Sequence, residues 1–295
     1  MPSLWMLLAA VLFATMGVCV KFASEHFHAL DIVFYRGLVG VVVLGVVMRQ
    51  QRVALRSPVP MMHFWRSLVG VVSLVGWFYS IGQLPLATAV TLNYTSSVWI
   101  ATFLLGGAVL FNQRSHSSTQ TPLMLTIVLG FVGVALVLRP TLSAGQLVGG
   151  MVGLLSGMFA ALAYLQVASL ARAGEPDSRT VWYFSLGSVL VGGLGMLVVG
   201  GTAWSGWQGV WLLPIGLLAL GGQLCMTRAY ASGATLVVAN LQYTGIIFAS
   251  LYGVWIFGDH IDTLAGLGIG LIIVSGVVAT ALRARAIPKA PAEEH

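Results

Sequence analysis

The sequence predicts an all-α membrane protein: ten transmembrane helices in two inverted five-helix repeats, with both termini cytoplasmic. Three observations lead there. The 295 residues are 58% hydrophobic and only 7% charged, whereas soluble domains carry about 25% charged residues. A soluble fold of this size could not hide so much apolar surface, so lipid is the implied solvent. The apolar residues also gather into ten runs near the length that crosses a hydrocarbon core of about 30 Å. Finally, the chain repeats itself. Leu92–Asn93–Tyr94–Thr95 returns as Leu241–Gln242–Tyr243–Thr244 after 149 positions, Phe13–Ala14 as Phe159–Ala160 after 146, and Tyr35–Arg36–Gly37–Leu38 as Tyr183–Phe184–Ser185–Leu186 after 148. Five spans per copy is an odd number, so the second copy enters the membrane from the opposite side, the pattern of alternating-access carriers.

The runs cover 4–20, 32–48, 61–83, 87–111, 122–138, 147–172, 180–200, 210–230, 235–257 and 264–282. The first repeat is therefore 1–140, the second 146–284, and 285–295 is a cytoplasmic tail. No Lys or Arg precedes the first run, so 4–20 reads as a membrane helix rather than a cleavable signal. Connections are short, as antiparallel neighbours require. Trp5, Trp204, Trp207 and Trp211 fit the aromatic belt at the membrane surface. Gly-rich stretches at 187–201 and 266–276 carry small residues three or four apart, which let membrane helices approach closely.

The 14 basic residues set the orientation. With a cytoplasmic N-terminus, eleven fall inside and only Lys21, Arg36 and Arg139 outside, in keeping with the positive-inside rule. The same loop bias explains the net charge of +6 without a nucleic-acid partner. The expected partners are the bilayer and a small molecule, and two fused repeats can suffice as a monomer. Cys19 and Cys225 fall in separate spans with no disulfide or metal spacing and read as small apolar filler.

The polar interior of certain runs marks the candidate site. Thr88, Thr91, Thr95, Trp99 and Thr102 recur at helical spacing, with Asn93 and Tyr94 beside them. Asn240, Gln242, Tyr243 and Thr244 mirror them in the second copy. Ser73, Trp77 and Ser80 make a stripe flanked by Tyr79. Gln223, Thr227 and Tyr230 make another, next to Arg228, and the sixth run adds Phe159, Tyr164 and Gln166. Amides need partners in hydrocarbon, and aromatic faces can stack a flat ligand. The candidate substrate-binding set is Trp77, Tyr79, Asn93, Tyr94, Trp99, Tyr164, Gln166, Gln223, Arg228, Asn240 and Tyr243.

The charges narrow the chemistry. Arg36 lies one turn into its run, with Asp31 close enough in sequence to neutralise it. Arg66 begins its run and reads as snorkelling to the cytoplasmic surface. Arg228 reads equally as snorkelling or cavity-facing. All eight carboxylates fall in loops, the tail or span ends, which disfavours proton-coupled export of cations. There is no phosphate loop for ATP, no His-Glu-x-x-His helix and no nucleophile elbow. No catalytic residues, cofactor or metal are expected, and the chain does not read as an enzyme. A metal-dependent membrane enzyme would have to use the clusters His26, His28, Asp31 or Asp259, His260, Asp262. A channel would share the polar lining without alternating states.

These residues resemble the EamA-type branch of the drug/metabolite transporter superfamily over essentially the whole chain. Trp77–Phe78–Tyr79–Ser80–Ile81–Gly82–Gln83–Leu84–Pro85–Leu86–Ala87–Thr88–Ala89 is similar to that family's aromatic third helix running through a Leu-Pro-Leu-Ala turn. Leu251–Tyr252–Gly253–Val254–Trp255–Ile256–Phe257–Gly258–Asp259 resembles its ninth helix, which ends in Phe-Gly and an acid. Tyr35–Arg36–Gly37 resembles its aromatic-Arg element. The fourth helix in this family usually ends in Gly-Glu; here it ends Leu110–Phe111–Asn112–Gln113–Arg114, leaving Asp259 without a counterpart. The resemblance implies a secondary transporter in the bacterial inner membrane and a central cavity between the repeats. It also implies movement of small metabolites, with export of amino acids or related compounds first and nucleobase, vitamin or adenosyl-type compounds as alternatives.

Overall fold

The computed structural model describes residues 2–110, 125–126, 128–130, 132–134, 136, 144–202, 206–232, 238, 241–260 and 262–286. Every regular element among them is helical. The helices are α1 (Pro2–Ala23), α2 (Ala29–Gln50), α3 (Pro60–Gln83), α4 (Leu86–Tyr94), α5 (Ser96–Leu110), α6 (Ala144–Arg172), α7 (Asp177–Val199), α8 (Leu212–Ser232), α9 (Thr244–Phe257) and α10 (Thr263–Ala286). A 3-10 turn, Gly206–Trp211, leads into α8. Among the described residues six helices are long and apolar enough to cross a membrane, in the segments Ser3–Ala23, Ala29–Gln50, Pro60–Gln83, Gln146–Arg172, Asp177–Val199 and Trp207–Ser232. The expected spans 122–138 and 235–257 lie partly outside the described residues. The Asn112–Gln113–Arg114 end of the fourth run and most of the tail lie wholly outside them.

Local chemistry sets the helix ends. Asp31, in the first turn of α2, accepts the His28 backbone N–H at 3.0 Å, the reach-back bond of a capping box. Pro60 opens α3, where a missing N–H costs nothing. Leu84, before Pro85, is extended, so α3 stops there. At Gly174 (φ 80°) after α6 and at Gly258 (φ 64°) after α9 the helix ends on a glycine of positive φ. Only glycine adopts that conformation without strain. In each case the next residue is an acid, Glu175 or Asp259, aimed by the cap. The Glu175 N–H returns to the Leu170 carbonyl at 3.1 Å and the Gly174 N–H to Ala171 at 3.0 Å, closing a Schellman cap.

The repeated Leu-x-Tyr-Thr motif is where both copies interrupt a helix. Thr95 separates α4 from α5, and Gln242–Tyr243 form a turn before α9. In each copy the threonine hydroxyl bonds three residues back: Thr95 to the Leu92 carbonyl at 2.6 Å and Thr244 to Leu241 at 2.7 Å. A hydroxyl that competes for a helical carbonyl bends or breaks the helix there. Thr91 and Thr102 likewise bond their own helix, so much of the expected threonine stripe is satisfied locally.

The most extensive packing joins the two halves rather than lying within them: α2 against α7, α3 against α6, and α1 against α8. Exchanging α1 with α6, α2 with α7 and α3 with α8 leaves this set of pairs unchanged, a two-fold pattern. Outside, large apolar side chains are bare; Leu197, Val198, Trp207 and Trp255 are each more than three-quarters exposed, as lipid-facing residues are. Cys19 and Cys225 are buried free thiols.

Candidate functional site

A cavity lies where the halves meet, lined by side chains from α1, α2, α3, α4, α6, α7 and α8. It measures about 40 Å³, room for about three waters, so a metabolite enters only if the helices part. Five of the residues picked out from the sequence line it: Trp77, Asn93, Tyr94, Tyr164 and Gln223. Trp77 meets Phe13 edge-on with ring centroids 6.3 Å apart, and Tyr164 stacks on Tyr230 at 5.3 Å. The Asn93 amide donates to Ser156 Oγ at 3.0 Å, and Ser73 donates to the Ser156 carbonyl at 2.8 Å. These bonds tie α3 and α4 to α6. The Trp77 indole N–H and the Gln223 carbonyl have no partner although buried.

The remaining candidates sit elsewhere. Trp99 stacks on Phe103 at 5.9 Å and packs with Ile100, Ala161 and Leu165 in a small cluster that touches Tyr164. Gln166 is half-buried on α6, and Tyr243 is buried at the break before α9; neither lines the cavity. Tyr79 is 39% exposed and faces a separate, largely apolar groove of about 360 Å³ with His28, Val75 and Val199. It lies two residues from Trp77, and a 200° turn puts it on the other side of α3. Arg228 is exposed, 3.4 Å from Asp177, with its guanidinium over the Trp5 ring. Asn240 lies outside the described residues.

Two cations in the cavity behave differently from the sequence expectation. Arg36 and Arg66 both line it and are 4% and 2% exposed. Their guanidinium carbons lie 4.9 and 4.3 Å from the Phe184 ring centroid, within cation–π range. Asp31 does not neutralise Arg36; it bonds the His28 N–H and the Thr202 N–H and hydroxyl instead. Among the described residues the hydrogen-bond partner of the Arg36 side chain is the Ser188 hydroxyl, at 3.4 Å. Arg66 does not snorkel to the surface, because its guanidinium folds back along α3 into the space left by Gly70, where a Cβ would collide with it. The clues in the sequence were Gly70 one turn after Arg66 and an aromatic at 184 in the repeat of Tyr35–Arg36.

Carboxylates tie the halves together at each end of the bundle, Asp31 through Thr202 and two others besides. At one end Glu175 accepts from Ser57 Oγ at 2.7 Å, His63 Nε2 at 3.1 Å and Arg179 at 3.0 Å. The His63 ring stacks on Tyr183 at 4.4 Å. Burial opposes ionisation of Glu175, but the hydrogen bonds from Ser57, His63 and Arg179, with the Arg179 charge, outweigh it and hold its carboxyl below the usual range. At the other end Asp259 lies 3.4 Å from Lys21 Nζ and accepts the Leu86 N–H at 3.0 Å. It thereby caps α4 from a distant part of the chain. The 24 residues of α3 separate the two ends by about 36 Å. Among the described residues no three His, Cys, Asp or Glu side chains gather as a metal site; Asp259, from one expected cluster, is engaged with Lys21.

A multi-pass helical bundle with a cavity between its halves, lined by aromatic and a few polar side chains, defines a class: membrane transport proteins. The chain belongs to the EamA-like transporter family, of the drug/metabolite transporter superfamily. The family model matches residues 1–139. The pseudopaline exporter CntI of Pseudomonas aeruginosa is 33% identical over 278 residues, covering 92% of this chain and 93% of that one. A riboflavin transporter of Rhizobium johnstonii is 25% identical, covering 92% and 88%. A crystal structure sharing 17% identity superposes with a TM-score of 0.66 over 96% of this chain and 98% of its own, a likeness of fold.

Proposed function

We propose that the chain is a secondary transporter that exports small metabolites, amino acids or related compounds first, across the bacterial cytoplasmic membrane by alternating access. One observation carries this reading: a cavity between the halves that brings buried amides and guanidiniums among aromatic rings, with a carboxylate latch at each end. Opening one latch while the other holds would expose the cavity to one side at a time. The proposed frame is ten spans in two inverted repeats, 1–140 and 146–284, with both termini cytoplasmic. The two-fold packing pattern and the matched helix interruptions support it. Broken helices at the centre of such repeats are where carriers bind cargo. Trp77, Asn93, Tyr94, Tyr164 and Gln223 would touch the cargo, and Trp99, Gln166 and Tyr243 would reach it only in an opened state. Export is the direction carried by the name of the Pseudomonas relative.

The test is exchange in proteoliposomes preloaded with unlabelled amino acids and offered a labelled mixture. Saturable, trans-stimulated exchange that is lost in Trp77→Ala and Asn93→Ala is expected. Flux that neither saturates nor shows counterflow would replace the carrier with a channel. Counterflow with riboflavin or nucleobases, and none with amino acids, would keep the carrier and change its cargo.

A further inference from the structure

Arg36 and Arg66 have no role in the transport reading so far, yet they are the least comfortable charges in the molecule. Each is buried in the cavity wall, and among the described residues no carboxylate pairs with either. Arg36 Nε and Arg66 Nε and Nη1 donate to nothing. Taking a charge out of water without a counter-charge is costly, and two like charges in one cavity raise that cost. The Phe184 face and the Ser188 hydroxyl ease the cost without neutralising either cation. A bound anion would.

We propose that Arg36 and Arg66 form an oxyanion subsite in which the cargo's own carboxylate or phosphate supplies the missing negative charge. The proposal rests on the transporter reading and deepens it. A guanidinium is a planar fork of donors that fits a carboxylate or phosphate edge with two parallel bonds, and it stays charged when buried. Trp77, Tyr94 and Tyr164 line the same cavity and would hold the less polar remainder. Among the described residues no acid lines the cavity, so a cationic cargo would meet two like charges and no carboxylate there. The site therefore selects anions or zwitterions that lead with their acid group.

The experiment measures melting of the purified full chain in detergent with succinate, glutamate, inorganic phosphate, the uncharged isostere succinamide or putrescine at matched ionic strength. Anionic probes should raise the melting temperature, while succinamide and putrescine should do so less or not at all. The half-saturating concentration should rise by about tenfold or more in Arg36→Gln and in Arg66→Gln, the loss of one charge-assisted hydrogen-bonded contact. Arg172→Gln, at the exposed end of α6, should respond like the parent. A response to phosphate alone assigns a phosphate-bearing cargo, and a response to succinate and glutamate alone assigns a carboxylate. The proposal is overturned if no anion shifts melting, or if the shift survives both Arg variants unchanged. Where a Gln variant does not fold, Arg66→Lys keeps the charge without the fork; an undiminished response there also overturns the subsite. Exchange of the labelled amino acids on the same preparation separates the two readings. Counterflow without an Arg-dependent anion response removes the subsite alone; that response without counterflow of any solute removes the carrier and leaves the anion site.

Discussion

The cations at the two ends of the bundle and the cations at its centre obey opposite rules. At the ends Lys21 meets Asp259 and Arg179 meets Glu175, each bond joining elements far apart in the sequence or closing a latch that does. At the centre Arg36 and Arg66 share a cavity with aromatic rings, two amides and a hydroxyl and, among the described residues, no acid. Charge at the ends is compensated within the protein and holds the halves together. Charge at the centre has no carboxylate partner among the described residues. Compensated charge stabilises the closed bundle, whereas uncompensated charge destabilises it and persists only where function needs it.

That contrast can be broken at each latch. Glu175→Gln should have the largest effect: it weakens three hydrogen bonds that all end on an ionised acceptor, and it leaves Arg179 without its counter-charge. The expected loss is about 2–3 kcal/mol of stability, read as a fall in melting temperature. A cysteine placed at Ser57 should also become more reactive to a membrane-impermeant thiol reagent. An unchanged melting temperature would mean that Glu175 is not a latch.

The same latch should respond to pH. The Glu175 carboxyl sits below its ordinary value in the folded protein, so the unfolded chain binds its proton more readily. Its contribution is then complete above the ordinary carboxylate range and is lost as pH falls through the depressed value. Melting measured from neutral to acid pH should converge for the parent and Glu175→Gln at the acid end. Parallel curves throughout would contradict this.

The Asp259 latch is more open to solvent, with side chains 20% and 13% exposed for Lys21 and Asp259. Asp259→Asn should cost about 1 kcal/mol, and Lys21→Met less, because Asp259 also caps α4. Equal effects would show that the cap contributes nothing. The smallest effect belongs to Arg228→Gln, since its partner Asp177 is reached at 3.4 Å with the Arg side chain 56% exposed. A change below about 0.5 kcal/mol is expected, together with unchanged exchange. Loss of exchange would return Arg228 to the cargo site.

Six of the spans were legible because a hydrocarbon solvent forces long apolar runs, and the helix interruptions were legible as a repeated tetrapeptide, though not as interruptions. The cavity was half legible. Trp77, Asn93, Tyr94, Tyr164 and Gln223 stood out as aromatic or amide groups inside apolar runs. The guanidiniums did not, because their setting depends on contacts far along the chain. Asp31 seemed to serve Arg36 five residues away, yet it bonds Thr202. Glu175 read only as one of the acids outside the spans, and its latch partners Ser57 and His63 lie 118 and 112 residues distant. Periodicity assigns a helix face, but it does not say which face looks at the partner half. Tyr79 and Trp77 were therefore grouped although they point apart.

The most direct test of the contrast is Arg66→Met, measured for melting and for exchange in the same preparation. Replacing an uncompensated buried charge with an apolar side chain of similar length should stabilise the bundle, by about 1–4 kcal/mol, while exchange of the cargo is lost. Arg66→Met that melts lower than the parent and still exchanges would mean that Arg66 is a structural cation, and the central claim would fall.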